Sequence, residues 1–245
     1  MKRIQFHINR FPWRKYRGIP EHFILQKELL RGIAKGMPET IFDIGAHMGE
    51  TVQYYRRLFP RSRIFAFEPN PELYQFCQQR FQADKKVSIH RFAVGAENKQ
   101  EIMFINKDSA TSSLKKSVEE AEKNWGRAVC RTVKTEKVKV VTLDRFCGSI
   151  GVDVIHICKV DVQGHEMEVL RGAQGLLAQS QISLLQLEWI NLPTYEKQTD
   201  LGQMIALMLE NKYELNSIYN LETLSDGKLA QADLLFASKA AVGTN

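Results

Sequence analysis

Four acidic residues end apolar runs in this 245-residue chain: Asp43 after Ile41-Phe42, Glu68 after Ile64 to Phe67, Asp161 after Val154 to Val160, and Glu188 after Ile182 to Leu187. A carboxylate at the carboxyl end of a buried strand can accept from hydroxyls, hold a cation or take up a proton. In open α/β sheets that edge is where ligands sit. One strand-terminal acid alone is often only a turn former or helix cap. Four at four such ends exceed what turns and caps require.

The first two acids form one constellation. Asp43 is followed by Ile44-Gly45-Ala46-His47-Met48-Gly49-Glu50-Thr51, a turn through two glycines into a helix-compatible stretch, and Glu68 lies 19 residues beyond Gly49. Glycines let a backbone approach a ligand, and an acid on the next strand can take both hydroxyls of a ribose. The spacing is Gly-x-x-x-Gly, not the Gly-x-Gly-x-x-Gly of a dinucleotide site, and no Lys-Ser/Thr follows as in a phosphate loop. A cofactor with a ribose but no phosphate fits, and S-adenosylmethionine is such a cofactor. On this reading Asp43 meets the ammonium of the methionine tail directly or through water. Gly45, Ala46, His47 and Gly49, with Thr51 in the first helical turn, wrap that tail, with amides near its carboxylate. Glu68, followed by Pro69 and Asn70, takes the ribose. Phe92-Ala93-Val94 either lines an adenine slot or is plain core.

The second constellation is Lys159-Val160-Asp161-Val162-Gln163-Gly164-His165-Glu166. Lys159 and Asp161 alternate with apolar residues and share one face. A lysine in so apolar a strand is costly to bury without an acid, and Asp161 or Glu188 could supply it. The set is then either a buried ion pair or the place where a substrate hydroxyl meets the cofactor methyl, with Asp161 as its base. Gly164 permits a sharp exit. His165 opens the next helix as a cap or a second base.

Alternating segments must position these groups. Residues 40–45, 63–68, Val87 to Val94, Val154 to Val160 and Ile182 to Leu187 read as strands. Pro20 followed by Glu21 to Ile33 reads as an amphipathic helix. So do 50–59 (Val52, Tyr55, Leu58 and Phe59 on one face), 71–82 (Leu73, Phe76, Cys77 and Phe81), Met167 to Leu177, and Leu201 to Leu209 with Leu201, Ile205, Met208 and Leu209 inward. Between them, Ile102 to Ile105 and Val138 to Leu143 pair as an extra β element, with a polar loop at Asp108 to Ser113 and a helix at Glu119 to Trp125. Tyr213 to Tyr219 and Ala232 to Ala237 close the chain as strands around a Ser225-Asp226-Gly227 turn. Repeated βα units predict a mostly parallel sheet with helices on both faces.

Composition narrows the class. Hydrophobic content of 44% and charge of 25% suit a globular chain. The net charge of +6 lies in residues 1–18, which hold Lys2, Arg3, Arg10, Arg14, Lys15 and Arg17 and no acid. The remainder balances at zero, which argues against a general nucleic-acid binder. The basic start also carries Phe6, Phe11, Trp13 and Tyr16. It is either a contact for an anionic membrane or substrate, or a solvated leader whose aromatics dock on the domain. It has no apolar core of a signal peptide, and no stretch reaches the roughly 18 apolar residues of a membrane span. Cys77, Cys130, Cys147 and Cys158 form no Cys-x-x-Cys, so buried reduced thiols and a cytoplasmic location are expected.

With these residues assembled, the chain resembles the FkbM-type family of S-adenosylmethionine-dependent methyltransferases. The matching stretches include Phe42 to Ala46, Ala66 to Pro69, Ala93-Val94-Gly95, Ser112-Ser113-Leu114, Val141 to Asp144, Lys159 to Glu166, Val169 to Ala173, Gln186 to Glu188, Pro193 to Glu196 and Ala232 to Phe236. Together they span roughly residues 39–237. The resemblance implies an α/β class I methyltransferase fold (Rossmann-like), with a mostly parallel sheet and an antiparallel edge strand. Residues 1–36 are then a basic segment with a preceding helix, and 37–240 a single domain. It adds Ser113 to the cofactor-binding candidates, and it implies O-methylation, commonly of sugar hydroxyls in glycans or of natural products. Two positions depart from the family pattern: His47 stands where Asn is usual, and Gln163 where many members have Glu. The expected activity is methyl transfer from S-adenosylmethionine to a saccharide hydroxyl without a metal, with Asp161, Lys159, Glu188 and His165 as catalytic candidates. The alternatives are a small natural-product acceptor, a metal-assisted variant with Asp161 and Glu188 as oxygen ligands, and a non-catalytic cofactor-binding protein. An RNA or protein acceptor fits less well. The body lacks a basic stripe, and Asn70-Pro71 lacks the second proline and aromatic of amine methylation.

Overall fold

The computed structural model describes residues 18–33, 38–126 and 128–242. The basic, aromatic stretch up to Arg17 lies outside them. Apolar runs bounded by polar residues become strands, and stretches with apolar residues three and four apart become helices. In chain order these are α1 (Glu21–Ile33), β1 (Thr40–Ile44), α2 (Glu50–Leu58), β2 (Arg63–Phe67), α3 (Pro71–Phe81) and β3 (Val87–His90). Then come β4 (Ala93–Val94), β5 (Lys99–Asn106), α4 (Glu119–Trp125), β6 (Thr132–Val141) and α5 (Leu143–Ile150). The chain ends with β7 (Ile155–Val160), α6 (Glu166–Arg171), α7 (Gln174–Ala178), β8 (Ile182–Ile190), α8 (Leu201–Glu210), β9 (Tyr213–Thr223), β10 (Leu229–Ser238) and α9 (Lys239–Val242).

The main sheet has seven strands in the order β3-β2-β1-β7-β8-β10-β9. All run parallel except β10, which is antiparallel to both its neighbours. The closing hairpin is therefore the sheet edge, with its antiparallel strand one place in. β1 is buried along its whole length, as a parallel strand covered on both faces must be. One face packs against α5 to α8 through Phe146, Leu170, Leu176 and Met204. The other packs against α1 and α2 through Phe23, Leu30, Val52 and Tyr55. Strand order reverses between β1 and β7, which places the ends of these two strands, at Gly45 and Asp161, on either side of the crevice where such sheets bind ligands.

Several elements depart from the sequence reading. The run Val87 to Val94 is two strands: β3 belongs to the main sheet, while β4 pairs with β6 in a second sheet, β4-β6-β5. The expected pairing of the extra β element is present, antiparallel from Lys99 to Asn106. Leu143 does not end a strand but opens α5, because the Thr142 side chain caps that helix at the Arg145 N–H, 3.3 Å. Met167 to Leu177 is two helices. The Asp144 carboxylate accepts from the N–H groups of Gly175 and Leu176 at 2.8 and 3.0 Å and starts α7 afresh. In α8 the buried residues are Met204 and Met208, while Leu209 is exposed; in α3 Cys77 is buried and Phe76 exposed.

Candidate active site

The crevice contains a cavity of ≈ 430 Å³ lined from three directions. The β1 loop contributes Gly45, Ala46, His47 and Thr51. The ends of β2 and β4 contribute Glu68, Pro69 and Phe92 to Val94. The β7 and β8 ends contribute Lys159, Asp161, Gln163, His165 and Glu188. Met103, the turn Ser109 to Thr111, Ser113 and Trp125 from the second sheet and its loops complete the wall. The two constellations read from the sequence thus face one space.

The first constellation is held by backbone. The N–H groups of Gly45 and Ala46 both donate to the Phe67 carbonyl at 3.0 Å, and Asp161 N–H donates to the Ile44 carbonyl at 3.0 Å. Gly45 has φ +86°, and a Cβ there would lie 1.8 Å from the Asp161 carbonyl oxygen, so only glycine lets the three strand ends close up. Gly49 has φ +78° and starts α2; a Cβ there would meet the Phe81 ring at 2.5 Å. Glu68 accepts the His47 N–H on Oε2 and the Asn70 N–H on Oε1, each at 2.8 Å. Burial pushes its carboxyl up to about 7, against the pull of these two N–H groups. Asn70 caps α3 by accepting from Glu72 N–H, and Pro71 follows at the first helical position. Gly49 and Asn70 therefore stand behind the cavity and shape the residues that line it. His47, at φ +50°, bridges from its Nε2 to Ser109 Oγ at 2.9 Å, tying the β1 loop to the turn that roofs the cavity.

The second constellation is held by side chains. Lys159 Nζ lies 2.9 Å from Asp161 Oδ2 and 3.9 Å from Asp43 Oδ1. Burial opposes its charge, but these two acids keep it above the ordinary lysine range. Asp43 is fully buried and does not line the cavity. Neither of its oxygens has a hydrogen-bond partner among the described residues, and burial raises it to about 7. Its charge reaches the site through Lys159. Asp161 exposes 30% of its side chain. Burial disfavours its charge, yet Lys159 and hydrogen bonds from Glu188 and Gln163 hold it below the usual carboxylate range. Burial and the Asp161 charge push Glu188 well above that range.

Gln163 joins this pair. Its Nε2 donates to Asp161 Oδ1 at 3.0 Å and to Glu188 Oε2 at 2.7 Å, while its Oε1 accepts from Tyr195 OH at 3.1 Å. An amide can do this, whereas an ionised glutamate would add negative charge beside Asp161 with nothing to donate. Ser113 Oγ donates to the Gln163 carbonyl at 2.7 Å and fastens the second sheet to the β7 loop. The buried Glu166 accepts the N–H groups of Val162 and Gly164 at 3.2 and 3.0 Å, so it fixes the same loop. His165 lines the cavity but is buried, and burial lowers its pKa, so its ring is neutral. Gln163 and Glu166 had no role in the sequence reading. The left-handed φ of +57° at Gln163 is a property no spacing announces.

The residues present fit a ribose-bearing cofactor, while Asp43, expected to meet the ammonium of its tail, does not reach the cavity. Each Glu68 oxygen has spent one lone pair on a backbone N–H and retains another for a hydroxyl. Phe92 to Val94 and Met103 make an apolar wall beside it, and the cavity volume lies within the ordinary range for such ligands. Among the described residues, no three His, Cys, Asp or Glu side chains gather as a metal-holding group. All four cysteines are buried and unpaired. No helix of the described residues is long and apolar enough to cross a membrane.

Comparison with known proteins follows this geometry. The model of one family, Methyltransferase FkbM domain, matches residues 43–215. The chain is 23% identical over 176 residues to 2-O-methyltransferase NoeI of Sinorhizobium fredii, covering 69% of this chain and 70% of that protein. It is 28% identical over 142 residues to Methyltransferase 1 of Beauveria bassiana, covering 54% of this chain and 57% of that protein. Among solved structures, Aeropyrum pernix fibrillarin in complex with natively bound S-adenosyl-L-methionine aligns with a TM-score of 0.48 at 14% identity, over 92% of this chain and 76% of that one.

Proposed function

Since this chain belongs to the FkbM methyltransferase family, we propose that the oxygen it methylates is a hydroxyl of a saccharide. It is an S-adenosylmethionine-dependent methyltransferase. The observation that carries the choice of oxygen is the Lys159–Asp161–Gln163–Glu188 array, a carboxylate fixed on the other side of β1 from Glu68 and lining the same cavity. The name of one relative, a 2-O-methyltransferase, supports the same acceptor atom.

When bound, S-adenosylmethionine supplies a methyl group that its sulfonium makes electrophilic, and the C–S bond breaks as the new O–C bond forms. Glu68 holds the ribose through the lone pairs its backbone donors leave free, and Ala93 with its neighbours flanks the adenine. The β1 loop, from Gly45 to Thr51, faces the methionine tail. Asp161 accepts the proton that leaves the acceptor hydroxyl. Its low basicity is sufficient, because the attacking oxygen becomes positive and sheds that proton readily once the bond to carbon forms. Lys159 keeps Asp161 ionised, and the Gln163 amide fixes its orientation by bonding both Asp161 and Glu188. Much of the remaining rate comes from alignment of the hydroxyl with the methyl group.

Calorimetry and transfer of labelled methyl test this reading. The protein is expected to bind S-adenosylmethionine and S-adenosylhomocysteine and not NAD, and to label a glycan extract at an ether-linked methyl found by mass. Label found only on nitrogen, or NAD binding without response to either sulfur compound, would refute it.

A further inference from the structure

A second cleft of ≈ 350 Å³ opens beside the cofactor cavity, on the closing hairpin. Three side chains line both spaces: Asp161, Glu188 and Gln231. The two therefore meet at the acids that face the transferred methyl. Asp233 pairs with Glu188 across β10 and β8, so it stands on the next strand at the same level. The hairpin is deformed here. Register shifts bracket Gln231 on both sides; it pairs with Glu222, and Asn220, in the unpaired stretch of β9 between Tyr219 and Glu222, has φ +50°. Such bulges re-aim side chains beside functional sites.

The chemistry of the walls is specific. Asp233 Oδ2 accepts from Asn220 Nδ2 at 2.6 Å and from Gln186 Nε2 at 3.0 Å, which leaves Oδ1 for a ligand. The Gln231 amide makes no side-chain hydrogen bond among the described residues, so both its donors and its acceptor are available. Glu222 adds an acid, and among the described residues no Lys or Arg lines the cleft. Lys159 stands behind Asp161 and is engaged by Asp161 and Asp43, so the exposed wall is acidic and disfavours phosphate and other anions. With only Leu221 and Ala232 apolar, there is no wall for a flat aromatic acceptor. The open Gln231 amide and the free Asp233 Oδ1 together suit hydroxyl groups, which both donate and accept.

We infer that this cleft is the acceptor subsite and takes a neutral sugar ring, with Gln231, Asn220 and Asp233 holding the hydroxyls next to the one presented at Asp161. The inference rests on the reading of methyl transfer to a saccharide. It adds specificity residues from the closing hairpin; all three lie beyond residues 43–215 of the family model, and of them only Asp233 falls in a stretch that resembles the family in sequence.

Saturation-transfer NMR tests it, with the full chain, S-adenosylhomocysteine, and a mixture of methyl glucoside, methyl galactoside, methyl mannoside and their 6-deoxy analogues. Glucose 6-phosphate and benzyl alcohol serve as anionic and aromatic controls. At least one glycoside is expected to receive saturation and neither control is. In Gln231→Ala and in Asn220→Ala that glycoside should lose about fivefold in affinity, the worth of one net hydrogen bond. S-adenosylhomocysteine affinity should stay at the wild-type value in Asn220→Ala, whose side chain lines only the second cleft, and this also reports an intact fold. No transfer to any glycoside, transfer to a control instead, or unchanged glycoside binding in both variants overturns the subsite. Failure of the wild type to bind S-adenosylhomocysteine would instead overturn the methyltransferase reading beneath it.

Discussion

The two halves of the sheet hold their acids in different ways. On the β1–β2 side, both Glu68 oxygens are met by backbone N–H groups, from His47 and Asn70. On the β7–β8–β10 side, the acids are met by side chains: Asp161 by Lys159 and Gln163, Glu188 by Gln163, and Asp233 by Asn220 and Gln186. Backbone donors are independent of residue type and fix one ligand as long as the fold stands. Side-chain donors can be exchanged one at a time without unmaking the sheet. The first half suits a cofactor that never changes, and the second an acceptor that evolution can vary.

The contrast breaks most visibly at Gly45. Its place is dictated by backbone on both sides, so Gly45→Ala is expected to cost more than about 4 kcal/mol, combining a forbidden φ with a clash against the Asp161 carbonyl. Urea unfolding would read the loss. Gly148 in α5 has open space around it, and Gly148→Ala is the control, expected to gain up to about 1 kcal/mol rather than lose stability. A Gly45→Ala protein of normal stability would mean that the strand ends can part and that the first half is not rigid.

On the other half a single atom should change rate more than fold. Asp161→Asn keeps the shape but removes the base, and a loss of ~10²-fold in single-turnover methyl transfer is expected. Lys159 keeps Asp43 at 3.9 Å but loses its 2.9 Å partner, so the melting temperature should fall as well. The wild-type rate at saturating cofactor should hold down to pH values below the ordinary carboxylate range, since Asp161 is depressed. Should the variant melt lower yet turn over normally, Asp161 is only the partner of Lys159.

The same division explains what could be read from the chain. Gly45, Glu68, Asp161 and Glu188 were legible because each ends or follows an apolar run, and local sequence decides both run and turn. The β3–β4 division was not, because Arg91 and Phe92 carry no break signal and only the pairing of Ala93 with Val140 moves β4 to the other sheet. α5 was hidden because the β-branched run before it continues without a break into Leu143. Gln231, Asn220 and Asp233 were invisible as site residues. Their meeting with Glu188 depends on strand register between segments some 40 residues apart in sequence. Gln26, in α1, reaches Gln186 at 2.7 Å across 160 positions, a contact that no periodicity could announce.

The smallest expected effect sharpens the backbone side of the comparison. Glu68→Gln leaves one oxygen where two N–H groups and two ribose hydroxyls need acceptors. Affinity for S-adenosylhomocysteine should fall about tenfold, the lower end for losing a hydrogen bond to a charged group. The stability change is better read as a slope with pH than as a level, since the new amide must also face one N–H with its own donor. In the folded protein burial raises Glu68 from 4.5 to about 7, so the folded state binds this proton more tightly than the unfolded chain does. The stabilisation is complete below pH 4.5 and is lost as pH rises through about 7. Asp43 and Glu166, raised to about 7, and Asp233, raised to about 6, act with the same sign. His22, His90, His156 and His165, whose pKa values burial lowers, act with the opposite sign, so the test is the difference between two proteins: from pH 5.5 to pH 8 the melting temperature of the cofactor-free wild type should decline relative to that of Glu68→Gln. An identical pH dependence in the two proteins would mean that Glu68 is already ionised in the fold, with its two backbone N–H groups outweighing its burial.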